Sequence, residues 1–438
     1  MTDRFLIAGA GLGGSLAAAL LARAGHQVHV YERRADPRRG PVDAGRSINL
    51  AISARGLFAL GRIGCADQVL GMGVPLYGRL IHSPTGSLTY QAYGTGKQCI
   101  NSVPRAALNQ LLVESAEAAG ARIEFGRRSH DVDLIEGTLT TVDNRTGEDS
   151  RTVAGAIIGA DGAYSSVRAA MQRREWFDYS QDYLEHGYKE LEIPPGPNGT
   201  HRLEPNALHI WPRGGYMMMA MANQNGSFTV TLYMRIGGER GFASLATPAD
   251  VLRFFERDFP DAIPLIPELT DDFFTHPTGS LLTIRSHPWH VDGKAVLLGD
   301  AAHAIVPFYG QGANAAFEDG VALLEAIDAH PGQLGRAFER YEAIRKPNTD
   351  AIADLAIANF HEMRDHVASP FFLAKKRLQK LLHALVPRWF IPLYPMISFS
   401  TIPYAEAKAR AERQERVLKA IGIGFAVVLC AVGALLLL

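Results

Sequence analysis

The chain has 438 residues, 47% hydrophobic and 20% charged, so a sizeable core divided between two interleaved subdomains is expected. Lys and Arg number 44 against 45 Asp and Glu, a formal net charge of −1, which excludes the global basic excess that holds nucleic acid. Cys65, Cys99 and Cys430 are spaced neither as metal ligands nor as a CxxC pair; no metal site is expected, and Cys65 and Cys99 read as buried thiols in a reducing compartment.

Residues 5–8 read as a buried strand, 16–24 as an apolar helix and 27–31 as a second strand ending at Glu32, together a βαβ unit. The apolar run 5–10 is expected to be strand rather than the core of a cleavable signal peptide, because a glycine-rich turn follows at once. That turn is Gly9-Ala10-Gly11-Leu12-Gly13-Gly14. Gly9, Gly11 and Gly14 lack side chains where a backbone must turn, approach a pyrophosphate and pack on a strand. The helix opening near Leu12 would aim its amides and dipole at that phosphate, and Glu32 is placed to accept from a ribose hydroxyl.

Farther on, 108–119 reads as a helix and 123–151 as antiparallel strands with turns at Asp143-Asn144 and Thr146-Gly147. The strand-like run 154–159 returns to the first sheet and enters Gly159-Ala160-Asp161-Gly162-Ala163-Tyr164-Ser165-Ser166-Val167-Arg168. Short strand patterns at 186–193, 207–211, 216–222 and 227–235 suggest a mixed sheet in a second layer. A strand at 294–298 feeds Leu298-Gly299-Asp300-Ala301-Ala302-His303, which runs into Pro307-Phe308-Tyr309-Gly310-Gln311-Gly312-Ala313-Asn314. His303 is expected to pack or cap rather than to catalyse. A helix is expected at 315–329, and longer helical patterns from 334 towards 383, interrupted by Pro387, Pro392 and Pro395.

The run 420–438 is uncharged and mostly apolar, and at ~1.5 Å per residue it nearly spans a hydrocarbon core of roughly 30 Å. Lys408, Arg410, Arg413, Arg416 and Lys419 precede it, which would keep the catalytic body on the cytoplasmic side. A C-terminal transmembrane anchor is therefore expected, in a bacterial inner membrane or a mitochondrial outer membrane. A buried C-terminal helix is the alternative.

One glycine-rich loop would suit an NAD dehydrogenase equally well. The three motifs together, around Gly9, Asp161 and Asp300, resemble the aromatic-hydroxylase family of FAD-dependent monooxygenases. The likeness extends over nearly the whole chain, to the branch that hydroxylates L-kynurenine. It includes Gly45-Arg46-Ser47-Ile48-Asn49-Leu50-Ala51-Ile52-Ser53, Tyr188-Lys189-Glu190-Leu191, Leu208-His209-Ile210-Trp211-Pro212-Arg213-Gly214 and Ile391-Pro392-Leu393-Tyr394. Other members have Met-Asn-Ala-Gly where this chain has Ala313-Asn314-Ala315-Ala316, a small change beside the flavin.

The resemblance implies an α/β fold: a Rossmann-like FAD-binding domain interleaved with a mixed β-sheet substrate domain, then a helical C-terminal region and a C-terminal transmembrane helix. The expected divisions are 1–175 for FAD, with substrate-facing strands inserted at about 70–105, then 176–290 for substrate and 291–330 for the FAD-domain return. A helical region would fill 331–404, and a basic helix with the anchor 405–438. Asp161, Asp300, Gly312, Ala313 and Asn314 would face FAD, joined by Arg33, Ala51 and, on the phosphate side, Arg105. Arg79 and Tyr93 would hold the substrate carboxylate, with Asn359 and Tyr394 from the C-terminal region and Pro307 and Phe308 against the ring. The implied reaction uses NADPH and O2 and passes through a flavin C4a-hydroperoxide to 3-hydroxykynurenine. Hydroxylation of another anthranilate-like or phenolic ring, and a non-catalytic membrane flavoprotein, are the alternatives. NADPH over NADH, the oligomeric state and any catalytic base stay open at this level.

Overall fold

The computed structural model describes residues 3–39, 49–94, 96–366, 378–379, 381–387 and 389–436. The stretch Gly45-Arg46-Ser47-Ile48 of one motif thus lies outside the described residues.

Phe5, Leu6, Ile7 and Ala8 are all buried, the continuous apolar run of a strand covered on both faces. Strand Arg4–Ala8 takes parallel neighbours on each side, with Phe5 paired to Val28 in Gln27–Glu32 and to Ala156 in Ala156–Gly159. Arg122–Phe125 extends the sheet beyond Gln27–Glu32, and Ala295–Leu297 and His290–Val291 extend it beyond Ala156–Gly159. Five parallel strands therefore end at one edge, and four of them carry the turns at Gly9, Arg33, Asp161 and Gly299. The ladder continues into those turns: Gly9 N–H donates to the Tyr31 carbonyl at 2.8 Å, Ala160 N–H to Ala8 at 2.9 Å and Leu298 N–H to Gly159 at 2.9 Å.

A second, seven-stranded sheet has the order Gly279–His287, Asp178–Ile193, Phe228–Arg235, Met217–Ala222, Ala207–Pro212, Gly78–His82, Leu88–Ala92. Its last two strands come from far upstream, and Gly78–His82 joins parallel to Ala207–Pro212. One face of this sheet is covered by helix Pro248–Asp258, through Val251, Phe254 and Phe255 against Leu232 and Met234. That helix opens with a capping box in which Thr247 and Asp250 satisfy each other's backbone amides.

Several elements carry no plain sequence signal. Helix Ala54–Arg62 buries Arg55, Gly56, Ala59 and Leu60, so a charge and a glycine replace the apolar stripe that periodicity seeks. Strand Asp178–Ile193 starts well before 186 because its first half is half-exposed and polar.

The expected C-terminal transmembrane helix is overturned: no helix among the described residues is long and apolar enough to cross a membrane. The expected anchor through that helix falls with it. The run from 420 is the far end of a single helix, Tyr404–Leu436, whose start is packed into the protein through Tyr404 and Ala407. Its first half carries Lys408, Arg410, Glu412, Arg413, Glu415, Arg416 and Lys419, so its described side chains are those of a charged, docked helix. The side chains of 421–438 lie outside the described residues.

Helices Gly312–Ala329 and Leu334–His361 are tied by buried charges. Asp319 Oδ1 accepts from Arg345 Nε at 2.7 Å, and Asp319 Oδ2 accepts from His303 Nε2 at 2.6 Å and from Gly299 N–H at 3.1 Å. Arg345 also reaches Glu318 at 3.1 Å, and Glu318 pairs with Arg55 at 2.8 Å. Arg55 then donates to the carbonyls of Ile397 at 2.7 Å, Met396 at 3.2 Å and Ile402. Burial raises the Asp319 pKa, but His303 and Arg345 outweigh it and hold the carboxyl below its usual range.

Arg345→Ala should lower the unfolding free energy by about 3–5 kcal/mol in denaturant titration, because it strands a buried carboxylate. The contribution of Asp319 should be complete above the ordinary Asp value of about 3.9 and be lost as pH falls through its depressed folded value. Asp319→Asn should therefore flatten the acid limb of the stability profile; an unchanged limb would refute this.

Candidate active site

The edge where the parallel strands end is shaped for a dinucleotide. Gly9 sits at φ +101°, a left-handed conformation that side chains other than glycine rarely adopt. A Cβ on Gly14 would land on the Gly9 carbonyl oxygen, so helix Leu12–Arg23 packs directly on the turn. A Cβ on Gly11 would meet nothing within 4 Å, leaving space at the uncapped start of that helix. Helix Gly312–Ala329 also begins without a side-chain cap. The two helix starts adjoin: a Cβ on Gly13 would lie 3.3 Å from Ala316 Cβ. Two bare helix N-termini side by side form a site for anionic or electron-rich groups.

Three acidic residues line this edge. Glu32 is buried; its Oε2 accepts from Ala10 N–H at 2.8 Å and its Oε1 from Arg34 N–H and Nε–H, each at 2.9 Å. Burial works to raise its pKa, yet the Arg34 guanidinium and these amides hold it below the usual carboxylate range. Asp161 Oδ2 accepts from Ser166 N–H at 2.6 Å and Ser166 Oγ–H at 2.8 Å, whereas its Oδ1 is buried without a partner among the described residues. Asp300 is exposed at the start of the short helix Asp300–His303. Arg168 links the second and third motifs by donating to the Ala301 carbonyl at 2.7 Å and the Ala163 carbonyl at 2.5 Å.

The loop 307–314 is pinned from both sides. Asn314 is fully buried; its amide donates to the carbonyls of Ala51 at 2.9 Å and Gly310 at 2.8 Å, and its Oδ1 accepts from Ser53 N–H at 3.0 Å. Gly310 has φ +66°, and a Cβ there would press on Ala51 at 2.9 Å. From the C-terminal side, Tyr404 donates its hydroxyl to Gln311 Oε1 at 2.9 Å while its ring lies 4.0 Å below the Arg55 guanidinium.

Next to this loop, the second sheet and the C-terminal helices bring together the aromatic lining of a candidate pocket. Arg79, from Gly78–His82, is buried with its Cζ 5.4 Å from the rings of both Tyr93 and Tyr394. Those two rings stack at 4.8 Å, and Tyr394 stacks on Tyr309 at 5.8 Å. Phe308 stacks on Phe360 at 4.3 Å and meets Tyr233 at 5.0 Å. Burial alone would lower the Arg79 pKa; Tyr93, Tyr394 and Glu362 outweigh it, so the guanidinium stays charged. Burial pushes the Tyr93 and Tyr394 phenols up, keeping both as neutral hydroxyls.

The structure thus gathers Gly9, Gly11, Leu12, Gly14, Glu32, Ala51, Asp161, Asp300, Gly312, Ala313 and Asn314 along the strand ends and the adjoining loop. It gathers Arg79, Tyr93, Tyr394, Phe308 and Asn359 around the pocket. Asn359 reaches the Phe308 carbonyl at 2.6 Å and so holds the aromatic turn. Pro307, Arg33 and Arg105 are exposed, Arg105 as the first residue of helix Arg105–Ala118. Sequence reasoning assigned no role to Gln311, although it lies in the third motif, nor to Arg55, Tyr404, Asp319 and Arg345. Their one signal is charge or polarity on the core-facing side of helices otherwise packed with apolar residues.

The residues present fit FAD: two adjacent bare helix ends, open space at Gly11, and an unsatisfied buried oxygen on Asp161. The family model described as FAD binding domain matches residues 3–232 and 271–356. A kynurenine 3-monooxygenase of Myxococcus xanthus is 48% identical over 404 residues, covering 92% of this chain and 87% of the relative. One from Xanthomonas axonopodis pv. citri is 48% identical over 411 residues, covering 94% and 90%. Among solved structures, the tetrameric form of 2-methyl-3-hydroxypyridine-5-carboxylic acid oxygenase superposes with a TM-score of 0.69 at 24% identity, covering 84% of this chain and 94% of that one, a likeness of fold. With this cradle, this pocket and near-half identity over almost its whole length, the chain belongs to the FAD-dependent aromatic hydroxylases and, within them, to the kynurenine 3-monooxygenase family.

Proposed function

We propose that the chain hydroxylates L-kynurenine to 3-hydroxykynurenine, using FAD with NADPH and O2. The observation that carries this reading is Arg79, a buried guanidinium against two stacked phenols beside the FAD-side loop, in a member of this family. When bound, FAD supplies the electron transfer from NADPH to O2 and delivers one oxygen atom to the substrate ring.

The protein's part is to bind, orient and exclude water. Arg79 takes the substrate carboxylate in a charge-assisted contact, and the neutral hydroxyls of Tyr93 and Tyr394 donate beside it. Phe308, Phe360 and Tyr233 form the apolar wall for the aromatic ring, with Pro307 at its outer edge. Asn359 fixes that wall through the Phe308 carbonyl. The aniline nitrogen of the substrate activates its own ortho carbon, so the side chains need only hold the ring in place. On the FAD side, the amides at Leu12 and at Gly312 and Ala313 would donate from the two helix starts. Glu32, whose partner Arg34 has a side chain 61% exposed, would accept from a ribose hydroxyl. Asp161 Oδ1 and Asp300 would take further hydroxyls, and Arg33 and Arg105 would add positive charge. On this reading 1–175 and 291–330 carry FAD, while 176–290 and the strands within 70–105 face the substrate.

The direct test is NADPH oxidation by the FAD-loaded protein with and without L-kynurenine, with product mass analysis. Stimulation with a product one oxygen heavier is expected; no stimulation would defeat the reading. Arg79→Ala should weaken L-kynurenine binding ten- to hundred-fold, the equivalent of roughly 1.5–3 kcal/mol, and leave FAD bound. Gly14→Ala should yield protein without flavin absorbance, since the new methyl meets the Gly9 carbonyl. Tyr404→Phe keeps the ring under Arg55 but frees Gln311; it should raise the share of NADPH electrons released as hydrogen peroxide with little change in melting temperature.

A further inference from the structure

Strands Gly78–His82 and Leu88–Ala92 pair antiparallel, with Gln91 directly opposite Arg79. Residues directly opposite in such a pair project from the same face. Tyr93 lies two residues beyond Gln91, and its N–H continues the ladder to the Tyr77 carbonyl at 2.9 Å, so it shares that face too. Arg79, Gln91 and Tyr93 therefore stand side by side on the face turned to the pocket.

Arg79 Nε and Gln91 Nε2 are both buried, and neither has a hydrogen-bond partner among the described residues. Buried donors are nearly always satisfied in folded interiors. Two unsatisfied donors on directly opposed residues call for one acceptor group able to serve both. A carboxylate has two oxygens and about four lone-pair sites, which suits that demand.

We propose that Gln91 is a second recognition residue for the substrate's α-carboxylate, donating from its amide to one oxygen while Arg79 holds the other. The assignment rests on the reading of Arg79 as the carboxylate site. Arg79 supplies charge, and Gln91 supplies direction: a neutral amide adds little pull on any anion but sets the tilt of the carboxylate plane. That tilt in turn fixes where the aryl ketone enters the wall formed by Phe308 and Phe360.

The test uses the full-length, FAD-loaded chain and two ligands: L-kynurenine and kynuramine, which lacks only the carboxylate. Dissociation constants are read from the perturbation of the flavin spectrum. Gln91→Leu should bind L-kynurenine about three- to tenfold more weakly and kynuramine as the parent does. Gln91→Glu, close in size but negatively charged, should weaken L-kynurenine further than Gln91→Leu. Unchanged affinity of Gln91→Leu for L-kynurenine would overturn the proposal. So would an equal loss on both ligands, since that reports packing rather than carboxylate recognition. Equal affinity of the parent for both ligands would instead overturn the Arg79 reading, and this assignment with it.

Discussion

The structure depends on a buried chain of charges that runs from the third glycine turn to the C-terminal region. Asp319 is fully buried, and isolated it would be strongly disfavoured. It is stable because His303, Arg345 and the Gly299 amide supply acceptor-matched partners at 2.6, 2.7 and 3.1 Å. Arg345 passes the connection to Glu318, and Glu318 to Arg55, which grips the carbonyls of Met396, Ile397 and Ile402. Apolar packing could hold these helices together without fixing their mutual register. Directional charge pairs add that register, and here it places Tyr394 over the pocket and Tyr404 on Gln311.

The same chain explains why two sites are assembled as one. Gln311 lies in the loop and immediately precedes helix Gly312–Ala329, and it is held by Tyr404 from a segment 93 residues away. Tyr394 comes from the same C-terminal region and stacks on both Tyr93 and Tyr309. The FAD-side loop and the aromatic pocket thus share a wall, and docking of the C-terminal helices completes both. A helix with that task must begin packed against the body, as Tyr404–Leu436 does through Tyr404 and Ala407.

The FAD side was largely legible in the chain because its constraints are local. Gly9, Gly11 and Gly14 occupy one turn, and Glu32 follows at the end of the next strand; backbone sterics demand glycine at 9 and 14, and open space at Gly11 leaves room for a phosphate. The pocket was legible only through family likeness. Arg79 and Tyr93 carry no local pattern, and Gln91 was silent until strand register placed it opposite Arg79. The apolar run at 420–438 misled because composition was read as a separate segment, whereas the backbone makes 420–436 the end of a helix charged along its first half.

By itself, then, the amino-acid order determined the βαβ cradle, the three motifs at the carboxyl ends of parallel strands and the family to which the chain belongs. These are written in short-range features: glycine where a side chain would collide, apolar runs where a strand is covered on both faces. Tertiary structure alone decided which polar groups are satisfied and which are left open. Asn314 is wholly spent on Ala51, Gly310 and Ser53, while Asp161 Oδ1, Arg79 Nε and Gln91 Nε2 remain without partners among the described residues. A hydrogen bond needs two groups within about 3 Å in the right orientation. Residues far apart in the chain reach that distance only after the sheets and helices have packed.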